Sequence, residues 1–191
     1  DVQLVLNKLF PQTEDLGVPL TYYDDIEEPV GILAKFIEKD KTIGIDKNWP
    51  ARFLLKLQDL GAGSKFVNGS VIVDKVRQIK DEHERQIMRE SAKMIDEVMD
   101  KLIPWVAKGL TERELNAKCV ELCKEVGFQG LSFDPITAYG KGGADPHHVT
   151  DDSKGKYGDS VVLDIGGMWN NYASDTTRTV FIGEINDRQR E

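Results

Sequence analysis

Apolar residues in positions 2–73 recur with a spacing of two, typical of strands, or of three to four, typical of helices. The alternation of Val2, Leu4 and Leu6 predicts a strand at residues 2–9, and further strands are predicted at residues 20–23, 41–46 and 66–73. Helices are predicted to begin at Pro29 and Pro50, because proline suits the first turn of a helix, and Gly61 ends the second one. Strands that alternate with helices indicate an α/β arrangement in which helices cover a sheet.

The pattern changes near Val76, where the strand-and-helix alternation ends. Apolar residues three or four positions apart over residues 80–106 then predict the longest helix of the chain. We therefore predict two domains, residues 1–75 and residues 76–191.

A second helix and a β-rich region are predicted after the long helix. Thr111 and Glu114 have the spacing of a capping box, so a helix is predicted to begin there and to end at Gly127. The next strand is predicted at residues 133–139 and contains Pro135. Proline cannot donate a hydrogen bond to a β-ladder, so we expect this strand to lie at a sheet edge or to be bulged.

Two apolar strands within residues 161–181 flank a centre rich in glycine and asparagine, which predicts a β-hairpin. With the turn centred between Trp169 and Asn170, Asp164 is predicted to lie directly opposite Asp175. Directly opposed side chains have Cβ atoms about 4.5–5.5 Å apart. Two carboxylates at that separation repel each other in an apolar sheet, and a cation between them would remove the repulsion.

A structural explanation of the two aspartates stays open at this point, since either could point to solvent or cap the turn. Asp164 nevertheless lies in an otherwise apolar run, where an unpaired charge is costly. His147 and His148 follow Pro146 in a glycine-rich loop, residues 140–153. They are either hydrogen-bonded turn residues or groups that hold substrate and stabilise charge developing on a carbonyl.

The formal charge of −8 disfavours nucleic acid and anionic membranes as partners, because both require clustered lysine and arginine. No apolar run approaches the roughly 18 residues that span a bilayer, and no signal peptide is recognisable. Cys119 and Cys123 are predicted to pack as small apolar residues in the second helix, which favours a reduced, cytoplasmic protein. The chain starts within a strand pattern and stops where Asn186 and Gln189 predict a helix start, so we expect a segment of a longer protein.

Two segments resemble the signature of the M24 "pita-bread" peptidases, which include Xaa-Pro aminopeptidases and prolidases. These are residues 164–166, Asp-Ile-Gly, and residues 172–179, Tyr-Ala-Ser-Asp-Thr-Thr-Arg-Thr. Residues 73–80 with Glu84 resemble the junction between a creatinase-type N-terminal domain and the catalytic domain. The resemblance implies an α/β (α+β) fold: a partial creatinase-type domain followed by the first half of a pita-bread domain, whose helices cover a curved, mostly antiparallel sheet.

The resemblance also implies roles for individual residues. Asp164 and Asp175 would be ligands of two divalent cations, with Asp175 bridging them. His147 would contact substrate, while His148 takes a position often held by an aromatic residue. The other ligands, one histidine and two glutamates, would lie beyond Glu191. Mn²⁺ is the expected ion because carboxylates suit hard cations, with Co²⁺ and Zn²⁺ as alternatives.

The implied activity is metal-dependent hydrolysis of peptides that carry proline at the second position. We expect the intact protein to be a homodimer and this segment alone to be inactive. The alternative is a relative that has lost catalysis and binds peptides or proteins. Metal-free, creatinase-like chemistry is disfavoured because both aspartates are present.

Overall fold

The computed structural model describes residues 2–190 and divides the chain between Ile79 and Lys80 into two units, each with its own core. The boundary expected between residues 75 and 76 falls inside a helix, Ser70–Gln78. This helix belongs wholly to the first unit, which therefore ends four residues later than the change in composition.

The first unit alternates strands with helices, as its apolar spacing predicted. Its elements are β1 (Leu4–Asn7), β2 (Leu20–Tyr23), α1 (Pro29–Leu33) with a 3-10 turn (Ala34–Phe36), β3 (Thr42–Ile45), α2 (Ala51–Asp59), β4 (Lys65–Asn68) and α3 (Ser70–Gln78). Strand β1 pairs in parallel with β2, and β3 pairs in parallel with β4. Val30, Leu57 and Ala62 form the centre of a small core, against which aromatic rings such as Phe53 and Phe66 pack.

The strand predicted at residues 66–73 is wrong beyond Asn68, because helix α3 begins at Ser70. The backbone crosses very closely here: a Cβ added to Gly69 would come within 2.9 Å of the Gly44 Cα. The Ser70 hydroxyl donates to an Asp46 carboxylate oxygen at 2.7 Å. This crossing turns the chain out of the sheet, so the β-branched residues that follow enter a helix despite their strand preference.

The second unit places long helices before an antiparallel sheet system. Its elements are α4 (Glu82–Leu102) with a 3-10 turn (Ile103–Lys108), α5 (Glu112–Val126), β5 (Gly130–Leu131), β6 (Ile136–Tyr139) with a 3-10 turn (Gly140–Ala144), β7 (Ser160–Ile165), β8 (Gly167–Trp169), β9 (Tyr172–Ala173), β10 (Thr176–Phe181) and α6 (Asp187–Arg190). The strand orders are β10-β7-β6 and β5-β8-β9. The predicted capping box between Thr111 and Glu114 is confirmed, and Pro135 directly precedes the edge strand β6.

The main core lies between helices α4 and α5 and one face of the sheet. Alternation along β7 sends Val161, Leu163 and Ile165 into this core, where each is 0% exposed. The helices contribute Ile95, Val98, Met99, Leu102, Leu115, Cys119, Leu122 and Cys123. Both cysteines are buried in α5, as predicted. No helix within residues 2–190 has the length and apolar character to cross a lipid bilayer.

Helix α4 is tied to the β8–β9 hairpin by two carboxylates. The Tyr172 hydroxyl donates to Glu84, and the Trp169 ring nitrogen donates to Glu90 at 3.1 Å. The pKa of Glu84 is lowered, first by the Tyr172 hydrogen bond and then by the backbone N–H of Asp81. These contacts join residues more than seventy positions apart and so depend on the folded unit.

Replacing Tyr172 with phenylalanine is expected to lower the melting temperature at neutral pH. Since folding lowers the pKa of Glu84, this stabilisation is present above the ordinary glutamate pKa of about 4.3 and is lost as the pH falls through the lowered value. Thermal unfolding at a series of pH values should therefore show the difference between parent and variant shrinking on acidification. Tyr157→Phe, at an exposed ring, is the control. A difference that stays constant with pH would contradict the link to Glu84.

Candidate active site

The turn of the predicted hairpin is formed by Asn170 and Asn171, with φ of 46° and 65°. Positive φ at both central residues is the requirement of a type I′ turn, in which asparagine is favoured. Trp169 pairs with Tyr172 across it. The turn centre therefore lies between Asn170 and Asn171, one residue later than the sequence analysis placed it.

This offset changes the partner of the first aspartate. Asp164 in β7 pairs with Thr177 in β10 on one side and with Ile136 in β6 on the other. The Thr177 hydroxyl donates to Asp164 Oδ1 at 2.9 Å. The predicted direct pairing of Asp164 with Asp175 is therefore wrong, because moving a turn centre by one residue moves every cross-strand partner by two.

Asp175 is exposed and lies in the break between β9 and β10. The Ser174 N–H donates to the Gly167 carbonyl at 2.9 Å, but the Gly167 N–H donates to the Ser174 hydroxyl instead of a backbone carbonyl. The Ser174 carbonyl accepts from the Ser132 hydroxyl. A Cβ at Gly166 would come within 2.1 Å of Ser132 Oγ, so this crossing requires glycine. The long hairpin is thus divided into two ladder segments beside Asp175.

The two aspartates are diagonal neighbours by sequence position. Asp175 precedes Thr177, the partner of Asp164, by two residues, and such diagonal positions lie about 7–8 Å apart in a regular ladder. Asp164 is half-buried on the sheet face opposite the helical core. Carboxylate oxygens suit a hard divalent cation, but residues 2–190 contain no cluster of three or more His, Cys, Asp or Glu side chains that could hold one. The two aspartates therefore fit part of a ligand set.

The two loop histidines have different surroundings. His147 is exposed, and its backbone N–H donates to Asp145 Oδ1 at 2.9 Å. His148 is half-buried, with its Nε2 2.7 Å from Glu112 Oε2. Both line a groove of about 560 Å³, whose other walls are Asn116, Ala117, Val120, Leu131, Asp134, Pro135, Ile136, Val149 and Thr150. The groove also reaches Ile136 in β6, which is the strand partner of Asp164.

Glu112 is a residue of this region that the sequence analysis did not single out. Its side chain is 1% exposed and accepts hydrogen bonds from the Tyr139 and Asp151 backbone N–H groups, each at 3.0 Å. The capping box identified the helix start, but a glutamate in a first helical turn is ordinarily exposed and favoured by the helix dipole. Only the packing of the loop over α5 reveals that this carboxylate is buried.

Charges around Glu112 also affect its neighbours. Burial raises the pKa of Tyr139, and the negative charges of Glu112 and Glu114 raise it further. The pKa of Asp151 is lowered, chiefly by hydrogen bonds from Ser153, with a smaller effect of the nearby His148. The loop is thus held by hydrogen bonds to two carboxylates, those of Glu112 and Asp151.

Two family models match the chain. The model described as metallopeptidase family M24 matches residues 86–191, and the creatinase/prolidase N-terminal domain matches residues 11–79. The matches confirm the predicted fold class, an α/β creatinase-type domain followed by pita-bread catalytic elements. The two matched ranges lie on opposite sides of the division between Ile79 and Lys80.

Individual relatives agree with this assignment. The Xaa-Pro dipeptidase of Pyrococcus horikoshii is 31% identical over 178 residues, which are 93% of this chain and 50% of the relative. A crystal structure of a dipeptidase from Pyrococcus horikoshii OT3 matches with a TM-score of 0.88 at 31% identity, covering 98% of this chain and 53% of that one. The X-Pro aminopeptidase from Thermotoga maritima MSB8 matches with a TM-score of 0.81 at 25% identity, covering 98% and 55%.

The chain spans about half the length of the curated relatives it matches. The M24 model covers more than half of the chain, and it includes the segment with Asp164 and Asp175 as well as the histidine loop. This chain belongs to metallopeptidase family M24, with a creatinase/prolidase-type N-terminal domain before the catalytic segment.

Proposed function

We propose that the complete protein containing this chain hydrolyses peptides at Xaa-Pro bonds with the aid of two divalent cations. The observation that carries the proposal is the half-buried Asp164 on the open sheet face, with Asp175 at the same end of the hairpin, in a segment that matches the M24 family. Relatives named as Xaa-Pro dipeptidases and X-Pro aminopeptidase support the choice of substrate.

Asp164 and Asp175 would hold the cations together with ligands from the rest of the protein. The bound ions would activate a water molecule and polarise the scissile carbonyl. Mn²⁺ is our proposed ion because the ligands on this chain are carboxylates, and Co²⁺ and Zn²⁺ are the alternatives to be compared in the assay. The Thr177 hydroxyl donates to Asp164 Oδ1 and so orients this carboxylate.

His147 would act on the substrate rather than on the metal. It lies in an exposed loop and lines a groove with largely apolar walls. The groove is large enough to hold one side chain of a dipeptide substrate. An imidazole there can donate a hydrogen bond to the substrate carbonyl and stabilise the negative charge that develops on it. We accordingly assign His147 as the catalytic residue of this segment.

A cytoplasmic homodimer is our proposal for the working form of the protein. The buried, free cysteines of α5 support a reducing compartment. Strand β10 lies at the edge of its sheet among the described residues, and open edges favour association between chains. Size measurement of the complete protein in solution tests the dimer, and a monomer would contradict it.

The test of the proposed function compares the complete protein with this 191-residue chain. With Mn²⁺ added, the complete protein should hydrolyse an Xaa-Pro dipeptide and leave the matching Xaa-Ala dipeptide largely intact, and removal of metal should abolish the activity. The chain alone should show no turnover and only weak metal binding, because two carboxylates leave most positions of two six-coordinate ions to water.

Mass analysis of the purified chain excludes contaminating full-length protein. Metal-independent peptide binding without hydrolysis by the complete protein would favour the non-catalytic relative. Turnover by the 191-residue chain would show that the catalytic residues have been misassigned or that a partner chain supplies the others.

A further inference from the structure

The N-terminal turn of α5 is the anchor of the histidine loop. Glu112 Oε2 accepts a hydrogen bond from the Asp151 backbone N–H at 3.0 Å and lies 2.7 Å from His148 Nε2, within hydrogen-bond distance. Its other oxygen accepts from the Tyr139 N–H at the end of β6. One buried carboxylate therefore joins both ends of the loop to the helix.

Asn116 forms a second anchor on the same face of α5, one helical turn further along. Its side-chain amide donates to the Thr150 hydroxyl at 2.9 Å and also to the Pro135 carbonyl. Residues four apart in a helix lie on one face, so Glu112 and Asn116 hold the loop along a single line. Gly142 leaves room for the His148 ring, because a Cβ there would lie 3.1 Å from the ring.

These contacts determine where His147 lies. His148 is half-buried and contacts Glu112, whereas its neighbour His147 is exposed; both line the groove that reaches Ile136. The backbone N–H of His147 donates to Asp145 Oδ1, whereas the neighbouring His148 is the histidine that contacts the helix through Glu112. We propose that Glu112, acting through His148, is a positioning residue that holds His147 at the substrate groove. This inference rests on the proposed peptidase function.

The first test is Glu112→Gln in the complete protein, assayed on an Xaa-Pro dipeptide with Mn²⁺. The Tyr139 and Asp151 backbone N–H groups donate to different oxygens of Glu112, so an amide leaves one of them without an acceptor and the loop loosens while the helix start is retained. We expect kcat to fall by about 10- to 100-fold, with KM and bound metal close to those of the parent, because misplacement of a catalytic group by about 1 Å has effects of this size. Glu114→Gln, in the same helical turn but exposed, is the matched control.

The double variant Glu112→Gln/His147→Ala separates positioning from general stability. If Glu112 acts through His147, the double variant should be no slower than His147→Ala alone. Losses that multiply would overturn the proposal, and so would an unchanged kcat in well-folded Glu112→Gln. A His147→Ala variant with parental turnover would also overturn it, since there would be no catalytic group to position.

His148 provides the variant pair to use if Glu112→Gln does not fold. His148→Phe should lose turnover as Glu112→Gln does, and His148→Gln should recover most of it because its amide can donate to Glu112. Equal turnover of the two His148 variants would overturn the proposal.

Hydrogen exchange gives a measurement that does not depend on activity. Amides of residues 145–153 should exchange faster in Glu112→Gln than in the parent and in Glu114→Gln, and equal rates would overturn the anchoring step. If the parent itself fails to cleave Xaa-Pro peptides, the proposed function is at fault, and the exchange data still decide whether Glu112 holds the loop. A cleaving parent with unaffected variants places the fault in this inference alone.

Discussion

Asp175→Ala in the complete protein is expected to remove bound metal and Xaa-Pro hydrolysis together. The proposed role of Asp175 is to bridge both cations, so one substitution should release the pair. Loss of ions that provide several kcal/mol of transition-state stabilisation corresponds to a decrease in kcat/KM of about 1,000-fold or more. Metal titration by calorimetry and an Xaa-Pro assay on the same preparation measure the two effects.

Loss of metal in Asp175→Ala can be distinguished from loss of folding, because Asp175 is exposed and lies outside the strands of the hairpin. Its replacement should leave the melting temperature of the metal-free protein nearly unchanged, since exposed substitutions away from special features have small effects. Asp100→Ala, at an exposed aspartate of helix α4, is the control. Metal stoichiometry and activity that both remain at the parental level would rule out the assigned role.

His147→Ala is expected to lower turnover on an Xaa-Pro peptide by about 100-fold while metal content stays near normal. The physical reason is that an exposed imidazole at the groove can donate to the developing negative charge, whereas the ligands we propose on this chain are the two aspartates. Steady-state kinetics combined with metal analysis of the same sample decide the matter.

Exposed His83 on helix α4 provides the matched control, since His83→Ala removes an imidazole that lies outside the groove. A loss of metal from His147→Ala would make His147 a ligand instead. Parental turnover of His147→Ala would show that His147 is a loop residue without a role in catalysis.

Local chemistry in the sequence was sufficient for the secondary structure of most elements. Capping-box spacing located the start of α5 at Thr111, and the reciprocal bonds between Asn186 and Gln189 at 2.9 and 3.1 Å confirm the predicted helix start near the chain end. These signals succeed because each involves backbone and side-chain groups only three residues apart. The family signature around Asp164 and Asp175 was equally local, and the family assignment followed from it.

The pairing register of the hairpin strands was harder to predict from the sequence, because it depends on where one turn is centred. The glycines and asparagines indicated a hairpin, but several two-residue turns were compatible with them. The positive φ angles of Asn170 and Asn171 selected one, which paired Asp164 with Thr177. The turn type is selected by its match to the twist of the flanking strands. The residues of the turn indicate this type only approximately.

The sequence by itself determined most of the helices and strands, that a hairpin carries two aspartates, and that the chain resembles M24 peptidases. Tertiary structure alone decided two further features. The close crossing of Gly44 and Gly69 turned a β-branched run into helix α3, and the packing of the loop over α5 buried Glu112 against His148. Both depend on contacts between segments more than twenty residues apart. The energies of these contacts override local conformational preferences, and the contacts produce no periodic pattern in the sequence.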